Sequence, residues 1–237
     1  MAYTTQREGC PLGAVETWVF DLDNTLYPAS CRLFDQVQAR MTEFIRERLD
    51  LTPEGAAVLR RAYFEAHGTT LRGLMTVDRI DPYEFLAFVH DIDLAGVPPD
   101  PALATALGRL AGRKIIYTNA STRHAERVLE HLGLAGAFCG IVDIVAAGFE
   151  PKPGLAGYRE LMRRHGVAPG TALMVEDIAR NLAPAARLGM TTAWVRNGLD
   201  WAAAEADSDY IHHLIDDLGG FLAAAARLQP GRREPSR

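Results

Sequence analysis

The sequence contains few cysteines and no long apolar segment. Its 237 residues include only three cysteines, Cys10, Cys31 and Cys139, which lie far apart. Without paired spacing they predict neither a disulfide framework nor a zinc site, and we expect them to stay reduced in a cytoplasm. No apolar stretch approaches the roughly 18 residues that a membrane-spanning helix needs. Arg7 and Glu8 precede any apolar run, so no secretory signal is expected.

An excess of basic residues is also missing. The formal net charge is -5, so the chain has no basic surface that would indicate binding to a nucleic acid polymer or to an anionic membrane. The composition, 48% hydrophobic and 23% charged, is typical of globular proteins. The length fits one domain, or one domain that carries a sizeable insertion.

The most informative stretch is an apolar run that ends abruptly in acids. Residues 17–20, Thr-Trp-Val-Phe, are typical of a buried strand, and Asp21-Leu-Asp23-Asn-Thr follows at once. Side chains at positions i and i+2 of an extended chain point the same way. Because buried charges must be paired or must hold a metal, the motif predicts a cation site with Asp21 as a nucleophile. An ordinary turn is the alternative, whereas a calcium loop would need Gly and an acid where Leu26 and Arg32 stand.

The interval between residues 27 and 113 is too long for a connecting loop, and it has helical patterns. Apolar residues recur at helical spacing over residues 33–49. Thr52-Pro53 and Asp81-Pro82 each combine a cap residue with proline at the first helical position. The Gly-Val-Pro-Pro stretch that starts at residue 96 breaks the helical pattern and indicates a linker. We therefore predict a helical domain of residues 30–96, inserted into a core of residues 1–29 and 97–237.

Beyond residue 113 strands and helices alternate, which predicts a parallel sheet with helices on both faces, a three-layer Rossmann-like α/β core. Residues 1–15 are expected to form a loose arm, and residues 229–237 a polar tail. The predicted strands are 114–119, 140–145, 172–175, 191–195 and a possible edge strand at 210–213; the predicted helices are 122–132, 155–165, 179–188 and 216–228.

Polar groups follow several of these strands, at the edge of the sheet where such folds bind ligands. Thr118 and Asn119 end one strand, and Glu176 and Asp177 end another. Lys152 stands between two prolines in the loop that joins them. Singly, each has an ordinary structural explanation as a strand end, a helix cap or a solvated charge. Together these complementary groups at successive strand ends indicate catalysis.

The chain resembles the haloacid dehalogenase superfamily of phosphotransferases in the order and approximate spacing of four motifs: Asp21-x-Asp23-x-Thr25, Thr118, Lys152 and Glu176-Asp177. The resemblance spans residues 18–222 and implies that the helical insertion is a mobile cap. It implies that Asp21 forms an aspartyl-phosphate and that Asp23 serves as acid and then as base.

The same resemblance implies a magnesium ion held by Asp21, Asp177 and the backbone carbonyl of Asp23. The charges agree, because two carboxylates and a phosphate dianion would repel one another without a cation. Lys152 would neutralise the nucleophile and the phosphoryl oxygens. Thr118 would bind the transferring group, which Asn119 would orient.

Further residues are assigned supporting roles. Glu176 and Thr25 are expected to stand behind the metal ligands. Arg72, on a Gly-rich loop between cap helices, is a candidate for contacting substrate, and a solvated arginine is the alternative. His90, beside Asp91, is expected to be structural.

A narrower resemblance is to the pyrimidine 5′-nucleotidase branch. It is carried by the Phe-Asp-Leu-Asp-Asn-Thr-Leu-Tyr-Pro motif, by residues 68–74 and by Phe-Val-His-Asp-Ile at residues 88–92. The chain departs from that branch at Glu176-Asp177-Ile178, where many members have Asp-Asp-Ser. We therefore expect a monomeric or homodimeric phosphatase of small phosphomonoesters, nucleoside 5′-monophosphates first, with phosphoglycolate or a sugar phosphate as alternatives. A phosphorylated receiver-like module and an idle binding protein are less favoured hypotheses.

Overall fold

A seven-stranded sheet forms the centre of the protein, of which the computed structural model describes residues 2–206 and 209–229. The strands are β1 Tyr3–Thr5, β2 Thr17–Phe20, β3 Arg113–Tyr117, β4 Gly140–Val142, β5 Ala172–Glu176, β6 Thr191–Val195 and β7 His213–Ile215. Their order in the sheet is β1-β7-β6-β5-β2-β3-β4, and every pair of neighbours is parallel except β1 with β7. This confirms the α/β fold with a mostly parallel sheet.

Helices cover both faces of the sheet, as the alternation predicts. Trp18 and Phe20 of β2 pack into one apolar core, and Val19 between them packs into a second. No helix within residues 2–206 and 209–229 is long and apolar enough to cross a membrane. The first core is completed by α5 Pro101–Arg109, α6 Thr122–His131 and α9 Leu218–Leu228, and the second by α7 Leu155–His165 and α8 Leu182–Arg187.

Four helices lie between β2 and α5 and form the helical insertion: α1 Leu33–Arg48, α2 Pro53–His67, α3 Thr70–Val77 and α4 Pro82–Val89. The cap residues act as the sequence predicts, because the side chains of Thr52 and Asp81 accept backbone hydrogen bonds at the starts of α2 and α4. Phe44 of α1 packs edge-to-face against Phe85 of α4, with the ring centres 5.2 Å apart.

Three local predictions were wrong. The amino-terminal segment is not a loose arm, because it supplies the edge strand β1 and buries Leu12 and Val15 in the core. The strand expected at residues 210–213 is β7, which begins at His213 and lies inside the sheet. The expected Gly-rich loop at residues 68–74 is mostly helix α3. Of the expected polar tail, Gln229 is buried, and residues 230–237 lie outside the described residues.

The position of β2 determines where a ligand can bind. It lies between β3 and β5, so the chain connections diverge on its two sides and leave a crevice at the carboxyl ends of these strands. The acids that follow β2 are therefore at the point where open α/β sheets bind ligands.

Candidate active site

Asp21 lies directly at the end of β2. Its backbone N–H donates to the carbonyl of Val175 at 2.9 Å, so the ladder with β5 fixes its position. Its side chain is buried, and Oδ2 accepts a hydrogen bond from the hydroxyl of Thr25 at 3.0 Å. Burial, followed by the negative charge of Glu176, raises the pKa of Asp21 to about 7, although Lys152 opposes the shift.

Lys152 joins the two acidic strand ends. Its Nζ donates to Asp21 Oδ1 and to Glu176 Oε2, both at 2.6 Å, and to the carbonyl of Tyr117 at 3.1 Å. Burial alone would lower the pKa of Lys152, but the charges of Asp21 and Glu176 outweigh it and raise the pKa. The lysine is therefore a permanent positive charge beside Asp21.

The acids at this edge also form a group that could hold a metal ion. One oxygen each from Asp21, Glu176 and Asp177 lies within 4.8 Å of the others, and all three residues are buried. Both oxygens of Glu176 are engaged, one by Lys152 and one by the backbone N–H of Ile178. Burial and the charges of Glu176 and Asp21 raise the pKa of Asp177. A buried set of carboxylate oxygens, in which the pKa values of Asp21 and Asp177 are raised, suits a hard divalent cation such as Mg²⁺.

Asp23 has a different environment from Asp21. Its Oδ1 accepts hydrogen bonds from the hydroxyl of Tyr27 at 2.5 Å and from Nε2 of His124 at 2.9 Å, which must be the protonated nitrogen because a carboxylate only accepts. Burial would raise the pKa of Asp23, but the charge of His124 and these hydrogen bonds lower it to about 2. His90 stacks on His124 with ring centres 4.4 Å apart, and burial lowers its pKa to about 3.

Thr118 and Asn119 occupy different positions in the site. The hydroxyl oxygen of Thr118 is buried and accepts from the backbone N–H of Ala120 at 3.0 Å, which leaves its proton free to be donated. The side-chain carbonyl of Asn119 accepts from the backbone N–H of Lys152 at 2.9 Å. Asn119 therefore holds the loop that presents the lysine.

A cleft of about 580 Å³ separates this edge of the sheet from the helical insertion. Asp21, Asp23 and Lys152 lie on its sheet side. Arg72 is exposed on α3 and is not among the residues lining the cleft, whereas Arg60 and Arg61 of α2 are. On the insertion side the lining is mainly apolar and includes Phe34, Val37, Met41, Phe64, Leu71 and Phe85.

Sequence reasoning missed three residues that contact the acids. Tyr27 is four residues beyond Asp23 in the turn that follows β2, and His124 is in the first turn of α6, after a strand already identified as functional. Asn197 follows β6, and its side-chain amide donates to Asp177 Oδ2 at 2.7 Å. The rule that polar groups at strand ends are functional would have found Asn197, whereas His124 required knowledge of how α6 packs.

A mostly parallel sheet with buried acids and a lysine at its switch point defines an α/β protein with a ligand site at that edge of the sheet. A family model for haloacid dehalogenase-like hydrolases matches residues 15–189, and the chain belongs to this family. It is therefore a hydrolase.

Individual relatives are distant. Phosphate metabolism protein 8 of Saccharomyces cerevisiae is 26% identical over 196 residues, which is 76% of this chain and 61% of the yeast protein, so the chain spans less than two thirds of that relative. Enolase-phosphatase E1 of Acidiphilium cryptum is 27% identical over 91% of this chain and 97% of its own length. The 2-haloacid dehalogenase of Pseudomonas syringae has a similar fold, with a TM-score of 0.59, 22% identity and coverage of 90% of this chain and 99% of that one.

Proposed function

We propose that the protein is a magnesium-dependent phosphomonoesterase that acts through an aspartyl-phosphate at Asp21. The observation that carries the proposal is the position of Asp21 between the ammonium of Lys152 and the hydroxyl of Thr25, beside the carboxylate of Asp177. A buried carboxylate that is held in place by a cation is suited to attack phosphorus. The names of two relatives, one a phosphatase and one a phosphate metabolism protein, support this class of substrate.

The proposed ion would be held by Asp21, Asp177 and the backbone carbonyl of Asp23. When bound, Mg²⁺ would neutralise the carboxylates and the phosphate and so allow two anions to approach. Lys152 would contribute a second positive charge on the other oxygen of Asp21. Glu176 holds that lysine through one oxygen, and we assign it this supporting role.

The reaction would use the second acid twice. Asp23 would protonate the leaving oxygen while Asp21 bonds to phosphorus, and would then take a proton from the water that hydrolyses the aspartyl-phosphate. In the structure two donors favour the ionised form of Asp23. A phosphate dianion beside a carboxyl raises its pKa, so the protonated form belongs to the substrate complex. The hydroxyl of Thr118 would donate to an oxygen of the transferring group.

Asp23 also favours phosphate ester hydrolysis over dehalogenation. A dehalogenase releases halide, which needs no proton, and so has no use for an acid at this position. Here the acid is held by His124 and Tyr27, an arrangement that serves a leaving oxygen. The fold alone does not decide the reaction, since it is shared with a 2-haloacid dehalogenase.

Residues 30–96 would act as a cap that excludes water and selects the leaving group, with residues 1–29 and 97–237 as the catalytic core. The resemblance to pyrimidine 5′-nucleotidases makes pyrimidine nucleoside 5′-monophosphates the first substrates to test. Phosphoglycolate and sugar phosphates are the alternatives.

A phosphate-release panel with Mg²⁺ tests this proposal. We expect turnover of phosphomonoesters, and we expect Asp21→Asn to lower kcat by about 10⁴-fold or more because the nucleophile is lost. Asp50→Asn is the matched control, because Asp50 is exposed and its positive φ suits asparagine. Retained activity in Asp21→Asn would show that the reaction occurs elsewhere. Equal turnover of sugar phosphates and of UMP or CMP would remove the nucleotidase assignment.

A further inference from the structure

Two adjacent arginines line the cleft and have no counter-ion among the residues that the structure describes. Arg60 and Arg61 are on α2, in the helical insertion, and both border the cleft that contains Asp21. The Nε of Arg60 is buried and has no hydrogen-bond partner within the described part of the chain. Neither arginine forms an ion pair with any residue in 2–206 or 209–229, although Glu65 of the same helix also lines the cleft. A buried donor without an acceptor costs free energy that a ligand could recover.

A third arginine faces the cleft from the sheet side. Arg180 follows β5, lines the same cleft and is likewise without an ion pair among the described residues. Apolar groups lie in the cleft beside these cations, among them Phe64 and Trp201, whose side chains are exposed. The cleft therefore combines an acidic end, which suits a cation and a phosphoryl group, with cationic groups and apolar walls that must suit the rest of the substrate.

We propose that the leaving group carries an anionic group, a carboxylate or a second phosphate, and that Arg60 and Arg61 bind it. The inference rests on the proposed phosphatase function and narrows its substrate class. A guanidinium binds an oxyanion through two parallel hydrogen bonds, which a single neutral acceptor cannot match. Burial and the neighbouring charge of Arg61 lower the pKa of Arg60, and an anion between the two side chains would remove this repulsion.

Matched substrates test the subsite. 4-Carboxyphenyl phosphate and 4-carbamoylphenyl phosphate differ by a charge at nearly constant shape, and phosphoglycolate and its amide form a shorter pair. We expect kcat/KM to favour the carboxylate by about tenfold or more in at least one pair. Arg60→Gln should lower kcat/KM for the carboxylates by about tenfold more than for the amides and so abolish this preference, and Arg61→Gln should reduce it. Phenylene-1,4-bisphosphate shows whether a second phosphate is preferred to the carboxylate.

Controls separate the subsite from folding and from the reaction. Arg46→Gln changes an exposed arginine of α1 outside the cleft and should leave the preference intact. Thermal unfolding of each variant shows whether it folds, and Arg60→Lys should retain part of the preference. Equal kcat/KM for carboxylates and amides, or a preference that survives Arg60→Gln, would overturn the subsite while the phosphatase stands.

A binding measurement tests the anion subsite separately from the proposed phosphatase reaction. Calorimetric titration of Asp21→Asn with the same esters and Mg²⁺ reports affinity without turnover. If no ester is hydrolysed by the unaltered protein but the carboxylates still bind more tightly through Arg60, the subsite stands and the assigned reaction fails. If the carboxylate and amide esters bind equally, the subsite fails whatever the reaction is.

Discussion

The two sides of the cleft differ in whether their charged side chains are paired. On the sheet side the acids that follow β2 and β5 are held by cationic partners: Lys152 holds Asp21 and Glu176, and His124 holds Asp23, whereas Arg180 forms no ion pair among the described residues. On the side of the helical insertion, Arg60 and Arg61 have no ion-pair partner among the described residues. Groups that carry out a reaction must be held in position before substrate arrives, whereas groups that recognise a substrate must still have donors to offer.

This difference separates the reaction from the choice of substrate. The sheet edge is built from strand ends that the ladder positions, so we expect the reaction proposed there to be the same for different leaving groups. The insertion supplies exposed aromatic and cationic groups, including Phe64 and Arg61, which the proposed substrate would contact. Changes on the sheet side should therefore affect all substrates, and changes on the insertion side should affect some.

Among the predictions that compare the two sides of the cleft, the largest change in kcat/KM is expected when the hydrogen-bond partners of Asp23 are replaced. His124→Asn or Tyr27→Phe should lower kcat/KM by about 10²-fold for an alkyl phosphate, because the acid would no longer be held toward the leaving oxygen. For 2,4-dinitrophenyl phosphate, whose leaving group needs no proton, the loss should be only a few-fold. Steady-state kinetics with both esters measures the ratio.

Matched controls exist for both substitutions. His131→Asn removes a histidine of the same helix, α6, that binds the carbonyl of Val97, and Tyr83→Phe removes an exposed hydroxyl. Neither should change the dependence on the leaving group. Equal losses for the two esters would contradict the role of His124 and Tyr27 as positioning residues and would indicate a general distortion of the site.

The difference between the two sides of the cleft also explains which features could be predicted from the sequence. The apolar run ending in Asp21 and the acids ending β5 were predictable, because local patterns determine strand ends and the parallel topology brings them together. The contact between His124 and Asp23 was not predictable, because His124 reaches Asp23 only through the packing of α6 against the sheet edge. Nor was the edge strand β1, whose three residues are partly or fully exposed and lack an apolar pattern.

The insertion was harder to interpret than the core. Its helices and caps followed from spacing, yet the residues that face the cleft depend on how α2 and α3 pack together. Arg72 stood out because it lies among glycines, but the segment continues as a helix and leaves the side chain exposed. Arg60 lies in an ordinary helical stretch and gave no local signal.

A smaller effect is expected from pH on magnesium binding. Burial and Glu176 raise the pKa of Asp21 from 3.8 to about 7, so below this pH the ion must displace a proton. The affinity for Mg²⁺ should therefore rise by about tenfold or more per pH unit as the pH approaches 7, because the pKa of Asp177 is also raised and its proton must be displaced too. Calorimetry in buffers of different ionisation enthalpy would count the protons released. An affinity that is constant across this range would contradict the prediction.

The same shift has a consequence for folding. A carboxyl whose folded pKa lies above its unfolded value of 3.8 lowers stability as pH rises from about 4 to about 7. Thermal unfolding of the metal-free protein should show this loss of stability, and saturating Mg²⁺ should remove much of it.

A related prediction concerns the proposed metal ligand Asp177. Asp177→Asn should raise the magnesium concentration that activity requires, whereas Asp93→Asn, at an exposed loop residue, should not.

The smallest effect on the rate of the reaction is expected from a change in the packing between helices α2 and α3 of the insertion. A Cβ added at Gly73 of α3 would lie 2.3 Å from Cγ of Tyr63 on α2, so Gly73→Ala should lower the free energy of unfolding by about 1–3 kcal/mol. Gly108→Ala in α5 is the control, because nothing lies within 4 Å of the added carbon. It should raise stability by about 0.5–1 kcal/mol, since alanine favours a helix over glycine. Denaturant unfolding measures both.

The outcome at Gly73 bears on the division between the two sides of the cleft. Tyr63 is fixed by a hydrogen bond from its hydroxyl to Asp78 at 2.8 Å, so it cannot move aside without breaking a second contact between α2 and α3. The shift of the helices could move Arg60 and Arg61 on α2. In that case Gly73→Ala should weaken the discrimination between charged and neutral esters, while the neutral ester is hydrolysed at an unchanged rate. If both esters are slowed equally, the packing of the insertion also controls the sheet edge, and the two sides of the cleft are not independent.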